Sequence, residues 1–196
     1  MTKYYFVRHG ESTANAAALL AGWSDYPLTG RGIEQAAEAA QSIKAAGIEF
    51  DTIMSSPLSR ALQTARIIAE INGYPEDSVK IVDDLKGGSG GDLEGLPYKH
   101  WYATPEEEIA SVHGGEDAKL LRVRIGRAIV RIVETTIDAD NVLLVAHASI
   151  YQMIRAIYDG VEPATEAYKV TNARNGEFVE MGLADTTSIN CDHQFE

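Results

Sequence analysis

The run Val142-Leu143-Leu144-Val145-Ala146 has no polar residue at any of its positions. A strand sends successive side chains to opposite faces, so a run that is apolar throughout must be covered on both sides. That requirement points to the centre of a parallel sheet lying between two layers of helices. The rest of the chain fits such a frame. Tyr4-Tyr5-Phe6-Val7, Thr52-Ile53-Met54-Ser55 and Val79-Lys80-Ile81-Val82 read as further short strands, with two more expected at residues 168–170 and 178–181. Helical patterns fall between them, at residues 14–20, 33–46, 57–71, 116–137 and 149–158. Thr29 caps the second of these, Gly47 stops it, and Asn72-Gly73 ends the third. Strands alternating with helices define an α/β class, here a three-layer α/β/α arrangement around a mainly parallel sheet. Residues 1–184 read as one domain and residues 185–196 as a polar tail.

Composition narrows the function classes. Twenty-nine acidic residues against 17 basic ones give a net charge of -12, which repels phosphodiester backbones and anionic lipid. Neither nucleic acid nor membrane is therefore expected as a partner. No apolar run approaches the roughly 20 residues that cross a bilayer. Met1-Thr2-Lys3 leads straight into a strand, and the expectation is a cytoplasmic chain. Cys191 is the only cysteine, so it has no internal disulfide partner.

In open α/β sheets, ligands sit beyond the carboxyl ends of the strands. The residues with chemistry to offer fall there. Arg8-His9-Gly10 follows the first strand, Arg60 lies in the first turn after Ser55-Ser56-Pro57, and His147 follows the most apolar strand. A guanidinium grips phosphate oxygens in a fork, an imidazole can attack phosphorus, and a helix N-terminus adds a partial positive charge. Each residue alone is ordinary, Arg60 as a solvated helix residue and His147 as a satisfied half-buried histidine. Their coincidence at strand ends points to one anion site. Gly10 is expected to let the backbone approach a ligand closely.

Five blocks carry a family resemblance: Arg8-His9-Gly10-Glu11-Ser12 with Asn15; Gly22-Trp23-Ser24-Asp25, Pro27-Leu28-Thr29 and Gly32 with Gln35-Ala36; Ser55-Ser56-Pro57 with Arg60 and Thr64-Ala65; Gly115-Glu116 with Arg124; and Val145-Ala146-His147. In this order the chain resembles the histidine phosphatase superfamily, also called phosphoglycerate mutase-like, over roughly residues 3–182. The resemblance implies a phosphoryl transfer in two steps. His9 takes the phosphoryl group as phosphohistidine, while Arg8, Arg60 and His147 clamp its equatorial oxygens. Asn15, Gly22 and the backbone N–H of Ala148 add substrate contacts. Water, or a second hydroxyl of the substrate, then accepts the phosphoryl group. No metal and no cofactor are implied. The expected partner is a small phosphorylated substrate, with a homodimer as an open option.

One departure stands out. The family supplies a glutamate, four residues before the glycine of a Gly-x-x-Glu-Gly segment, to protonate the leaving oxygen. Here the segment is Gly91-Asp92-Leu93-Glu94-Gly95, and four residues back stands Gly87, with Leu85 keeping the family's leucine position. A general acid contributes about 10²–10⁴-fold, or roughly 3–5 kcal/mol. Three explanations follow: a substitute carboxyl (Asp84, Asp92, Glu11 or Glu116), a substrate with a good leaving group, or a protein that binds a phosphorylated ligand without efficient turnover. The stretch Gly87-Gly88-Ser89-Gly90-Gly91 is expected to be either a mobile lid or a solvated loop, and His113 a surface histidine near the rim. Between Gly95 and Glu116 only Lys99 is a firm cation, beside the acidic run Glu106-Glu107-Glu108. That favours a monophosphate and phosphatase chemistry over a bisphosphate-dependent mutase.

Overall fold

The computed structural model describes residues 2–161 and 173–181. Its strands are β1 (Lys3–Arg8), β2 (Thr52–Ser55), β3 (Val79–Ile81), β4 (Asn141–Ala146) and β5 (Phe178–Met181). They form one sheet in the order β3-β2-β4-β1-β5. The apolar run is the central strand, parallel to β1 on one side and to β2 on the other. β3 extends the parallel part, and β5 closes the far edge antiparallel to β1.

Alternation sorts the side chains into two cores. Tyr4, Phe6, Val142 and Leu144 face α6 (Ala118–Thr135) and α7 (Ala148–Tyr158). Tyr5, Val7, Leu143 and Val145 face α2 (Gly30–Ala45) and α3 (Ser59–Ile71). The expected three layers are thus present. Two helical positions buried on α2, Ala39 and Ala40, are small enough for α2 to pack closely against α3.

Several local expectations needed correction. The helix expected at residues 14–20 is only a four-residue turn, α1 (Thr13–Ala16). Ala18 turns left-handed at φ 55°, and residues 18–20 then pair with residues 95–98 through Leu20 N–H to Leu96 O and Tyr98 N–H to Ala18 O. Alanine propensity loses to that tertiary pairing. The third helix starts at Ser59 rather than Pro57, with Leu58 at its cap position. Two short helices, α4 (Tyr98–Ala103) and α5 (Glu106–Ser111), occupy the stretch after the glycines, and the acidic run does form the start of α5. The strand expected at residues 168–170 and the polar tail lie outside the described residues. Among the described residues no helix is long and apolar enough to cross a membrane.

Registers place the strand ends level with each other. Arg8 pairs with Ala146 and Ser55 with Val145, while His9 N–H and Ser56 N–H donate to Ala146 O and Val145 O. His9, Ser56 and His147 therefore emerge at the same height on the sheet's carboxyl edge.

Candidate active site

The sheet edge brings the two histidines together. The His9 and His147 rings lie 5.0 Å apart, edge to face, and both side chains are buried. His9 Nδ1 is 2.7 Å from the carbonyl oxygen of Gly10. A carbonyl only accepts, so Nδ1 carries the proton and Nε2 keeps its lone pair. The His9 carbonyl in turn accepts from Asn175 Nδ2 at 2.9 Å. His147 Nε2 meets Ser56 Oγ at 2.8 Å.

Electrostatics keep both rings neutral. Burial and the Arg60 charge push the His9 pKa down to about 3, with Arg8 adding to the effect against the Gly10 hydrogen bond. Burial, His9, Arg60 and Arg8 hold His147 well below its ordinary value. A stability consequence follows. Unfolded histidines titrate near pH 6.5, so between there and about pH 3 the unfolded chain binds protons that the folded chain refuses. Stability is complete above this window and is lost as pH falls through it, at up to about 1.4 kcal/mol per pH unit for each group. Melting temperature should drop between pH 6.5 and 4.5, before ordinary carboxylates titrate. The His9→Ala variant should show a shallower drop; an equal one would mean that His9 is not held neutral by the fold.

Two arginines flank the rings. Arg60 is 2% exposed on α3, with Nη1 donating to Ser24 O at 3.0 Å and Nη2 to Gly22 O at 2.8 Å. Arg8 Nη1 donates to Ala173 O at 2.7 Å. Burial lowers both guanidinium pKa values, and at Arg60 the Asp25 carboxylate pulls the value partly back. In both arginines the buried Nε has no hydrogen-bond partner among the described residues. A buried donor without an acceptor is costly, and anion oxygens are the acceptors that such groups fit. An acidic protein thus concentrates fixed positive charge at this edge.

The remaining expected contacts take varied places. Asn15 Oδ1 accepts from Ser12 N–H, Ser12 Oγ and Asn175 Nδ2, so only its NH₂ end remains to donate outward. Ala148 is the first residue of α7, whose start has no side-chain cap. Gly22 holds Arg60 through its carbonyl. Gly10 serves packing rather than ligand approach: a Cβ there would lie 2.1 Å from the Gly32 carbonyl oxygen at the start of α2. The Gly10 N–H is also taken, by Thr64 Oγ1 at 3.1 Å.

The glycine stretch is neither a free lid nor a solvated loop. Gly87 O accepts from Trp23 Nε1 at 2.7 Å and from Arg124 Nη2 at 2.9 Å. Gly88 N–H donates to Ser149 Oγ, and Ser89 is bonded through both N–H and C=O to Glu116. Arg124 is paired with the Glu116 carboxylate and also holds the carbonyls of Asp84 and Lys86. Low propensity for regular structure says nothing about side chains elsewhere that supply the missing bonds. Gly87 itself stands beside His147: a Cβ on it would lie 3.4 Å from His147 Cγ and 3.6 Å from Gly22 O.

All four substitute carboxyls have partners elsewhere. Glu116 is bidentate to Arg124, Glu11 accepts from Thr29 Oγ1, Asp84 meets Arg131, and Asp92 meets His113 at 2.6 Å. Among the described residues no cluster of three or more metal-ligating side chains occurs. Sequence reasoning gave no role to Ser56 or Asn175. Ser56 could have been noticed as the residue that follows its strand level with His147; Asn175 lies between two expected strands and offers no signal.

Buried imidazoles and guanidiniums gathered on the carboxyl edge of the sheet form a site suited to an anion, and comparison with known proteins places the chain in a family. The family model of the histidine phosphatase superfamily (branch 1) matches residues 4–184, and the chain belongs to that superfamily. It is similar to the 2,3-bisphosphoglycerate-dependent phosphoglycerate mutase of Lactococcus lactis, 33% identical over 94% of this chain and 72% of that protein. The enzyme of the same name from Parvibaculum lavamentivorans is 34% identical over 73% of each chain. Among solved structures, the alpha-ribazole phosphatase from Shigella flexneri superposes with a TM-score of 0.77 at 26% identity, covering 91% of this chain and 89% of that one. The phosphoserine phosphatase from Entamoeba histolytica gives 0.75 at 25% identity, covering 92% and 90%.

Proposed function

We propose that the chain is a phosphomonoesterase that transfers the phosphoryl group of a small metabolite to His9 Nε2 and then to water. The observation that carries this reading is the state of His9: neutral, fixed in its Nδ1-H tautomer by Gly10, and set beside two buried arginines whose Nε groups lack acceptors. Arg8, Arg60 and His147 hold the equatorial oxygens, and the NH₂ of Asn15 and the N–H of Ala148 donate to the same group. A neutral imidazole is the form that attacks, and the flanking cations stabilise the charge of the loose transition state. The four carboxyls that might protonate the leaving oxygen are engaged elsewhere, and position 87 offers none. Such a site favours substrates whose leaving group departs without a proton: aryl, acyl or diphosphate groups. The resemblance to the alpha-ribazole and phosphoserine phosphatases supports hydrolysis. A second reading, mutase chemistry, draws support from the mutase names of the Lactococcus and Parvibaculum relatives.

A panel of phosphorylated metabolites separates the two. Phosphate release from one or more members is the expected result. Isomerised product without release would favour the mutase, and tight binding with no turnover of any member would reduce the chain to a phosphate-ligand binder.

A further inference from the structure

Glu94 belongs to the Gly-x-x-Glu-Gly segment, which so far has served only to fix the position of Gly87. Its carboxylate does something specific. Oε1 accepts the N–H groups of Trp23 at 2.8 Å and Gly90 at 3.0 Å. Oε2 accepts the N–H of Ser24 at 2.7 Å and its hydroxyl at 2.6 Å. All four donors lie on two loops, residues 22–25 and 87–91. The first loop supplies the two carbonyls, Gly22 O and Ser24 O, on which the Arg60 guanidinium rests. It is held from the other side too, where Asp25 Oδ1 accepts the N–H of Ser59, the residue before Arg60. Gly22 has a φ of 50°, and a Cβ there would lie 2.1 Å from Glu94 Oε1. The carboxylate is therefore seated directly against the loop's backbone.

We propose that Glu94 is a positioning residue that sets the aim of Arg60 toward the transferring phosphoryl group, through the backbone of residues 22–24. The inference rests on the reading of Arg60 as part of the phosphate clamp. Three of the four donors are peptide N–H groups, each sharing one rigid peptide plane with the carbonyl of the preceding residue. The Trp23 and Ser24 N–H groups belong to peptides whose carbonyls are those of Gly22 and Trp23, and the Gly22 carbonyl is one of Arg60's two acceptors. A displacement of the loop thus becomes a displacement of the guanidinium. Misplacing a catalytic group by about 1 Å costs on the order of 10²-fold. Glutamine cannot replace this carboxylate. Its amide has one oxygen, and its NH₂ would face donors rather than acceptors on the other side.

A double-mutant cycle on the full chain tests this, using hydrolysis of an aryl phosphate and inhibition by inorganic phosphate as readouts. Glu94→Gln is expected to raise KM and the phosphate inhibition constant about tenfold or more and to lower kcat, while thermal stability falls by only a few degrees. In an Arg60→Ala background, the same substitution should change both constants less than about twofold, because the residue it acts through is gone. Equal losses in the two backgrounds would overturn the proposal and leave Glu94 a structural brace. If Arg60→Ala itself left phosphate inhibition unchanged, the clamp reading would fail instead. Should Glu94→Gln not fold, Ser24→Ala removes one of the four bonds and runs the same cycle, with non-additivity again the expected result.

Discussion

Replacement of His9 by alanine should abolish phosphate release, lowering kcat on the order of 10⁴-fold or more while leaving inhibition by inorganic phosphate within about tenfold of the native value. The asymmetry between the two constants is the informative part. In the proposed reaction the imidazole supplies the bond-forming lone pair, whereas ground-state affinity for the anion comes from Arg8, Arg60 and His147, which the substitution leaves in place. Among the described residues the His9 ring makes one hydrogen bond, to Gly10 O, so its removal costs the fold little in polar contacts. A parallel loss of affinity and turnover would mean that His9 is a binding group only, and residual activity within about tenfold of native would place the nucleophile elsewhere.

The second large effect concerns the leaving group. Hydrolysis of an aryl phosphate should exceed that of a simple alkyl phosphate by about 10²–10⁴-fold, the range a general acid normally recovers. An alkoxide leaves badly without a proton, and position 87 carries no side chain to give one. The structure also says how to reverse the preference. A Cβ at Gly87 makes only ordinary contacts, 3.4 Å to His147 Cγ and 3.6 Å to Gly22 O, so Gly87→Glu can be accommodated at its root. The loop is already fixed by Trp23, Arg124 and Ser149, which spares the variant an ordering cost. Gly87→Glu is expected to raise alkyl phosphate turnover by about tenfold or more and to change aryl turnover little. Comparable native rates on the two substrate types would show that another group already donates the proton.

Much of this site is legible in the sequence because strand ends are. An apolar run fixes the central strand, and parallel register then sets His9, Ser56 and His147 level, since each follows directly on its own strand. β2 and β5 fall on the residues that alternation and β-branching suggest. Legibility fails where the decisive interaction comes from far along the chain. Residues 17–20 look helical by composition, yet the backbone partners that straighten them lie near residue 96. Five residues with four glycines look loose, yet their bonds come from Trp23, Glu116, Arg124 and Ser149. Gly10 shows the same limit in reverse: a glycine beside a candidate nucleophile suggests a ligand, and the structure shows the backbone of Gly32 instead. Propensity describes a residue's own freedom, and tertiary partners decide how that freedom is spent.

The central claim is that His9 itself carries the phosphoryl group. Native protein mixed with an aryl phosphate, quenched in alkali within milliseconds and digested, should yield a peptide containing His9 with one added phosphoryl group, formed before free phosphate accumulates and absent from His9→Ala. Phosphate release at the native rate with no label on His9 at any quench time would contradict the account.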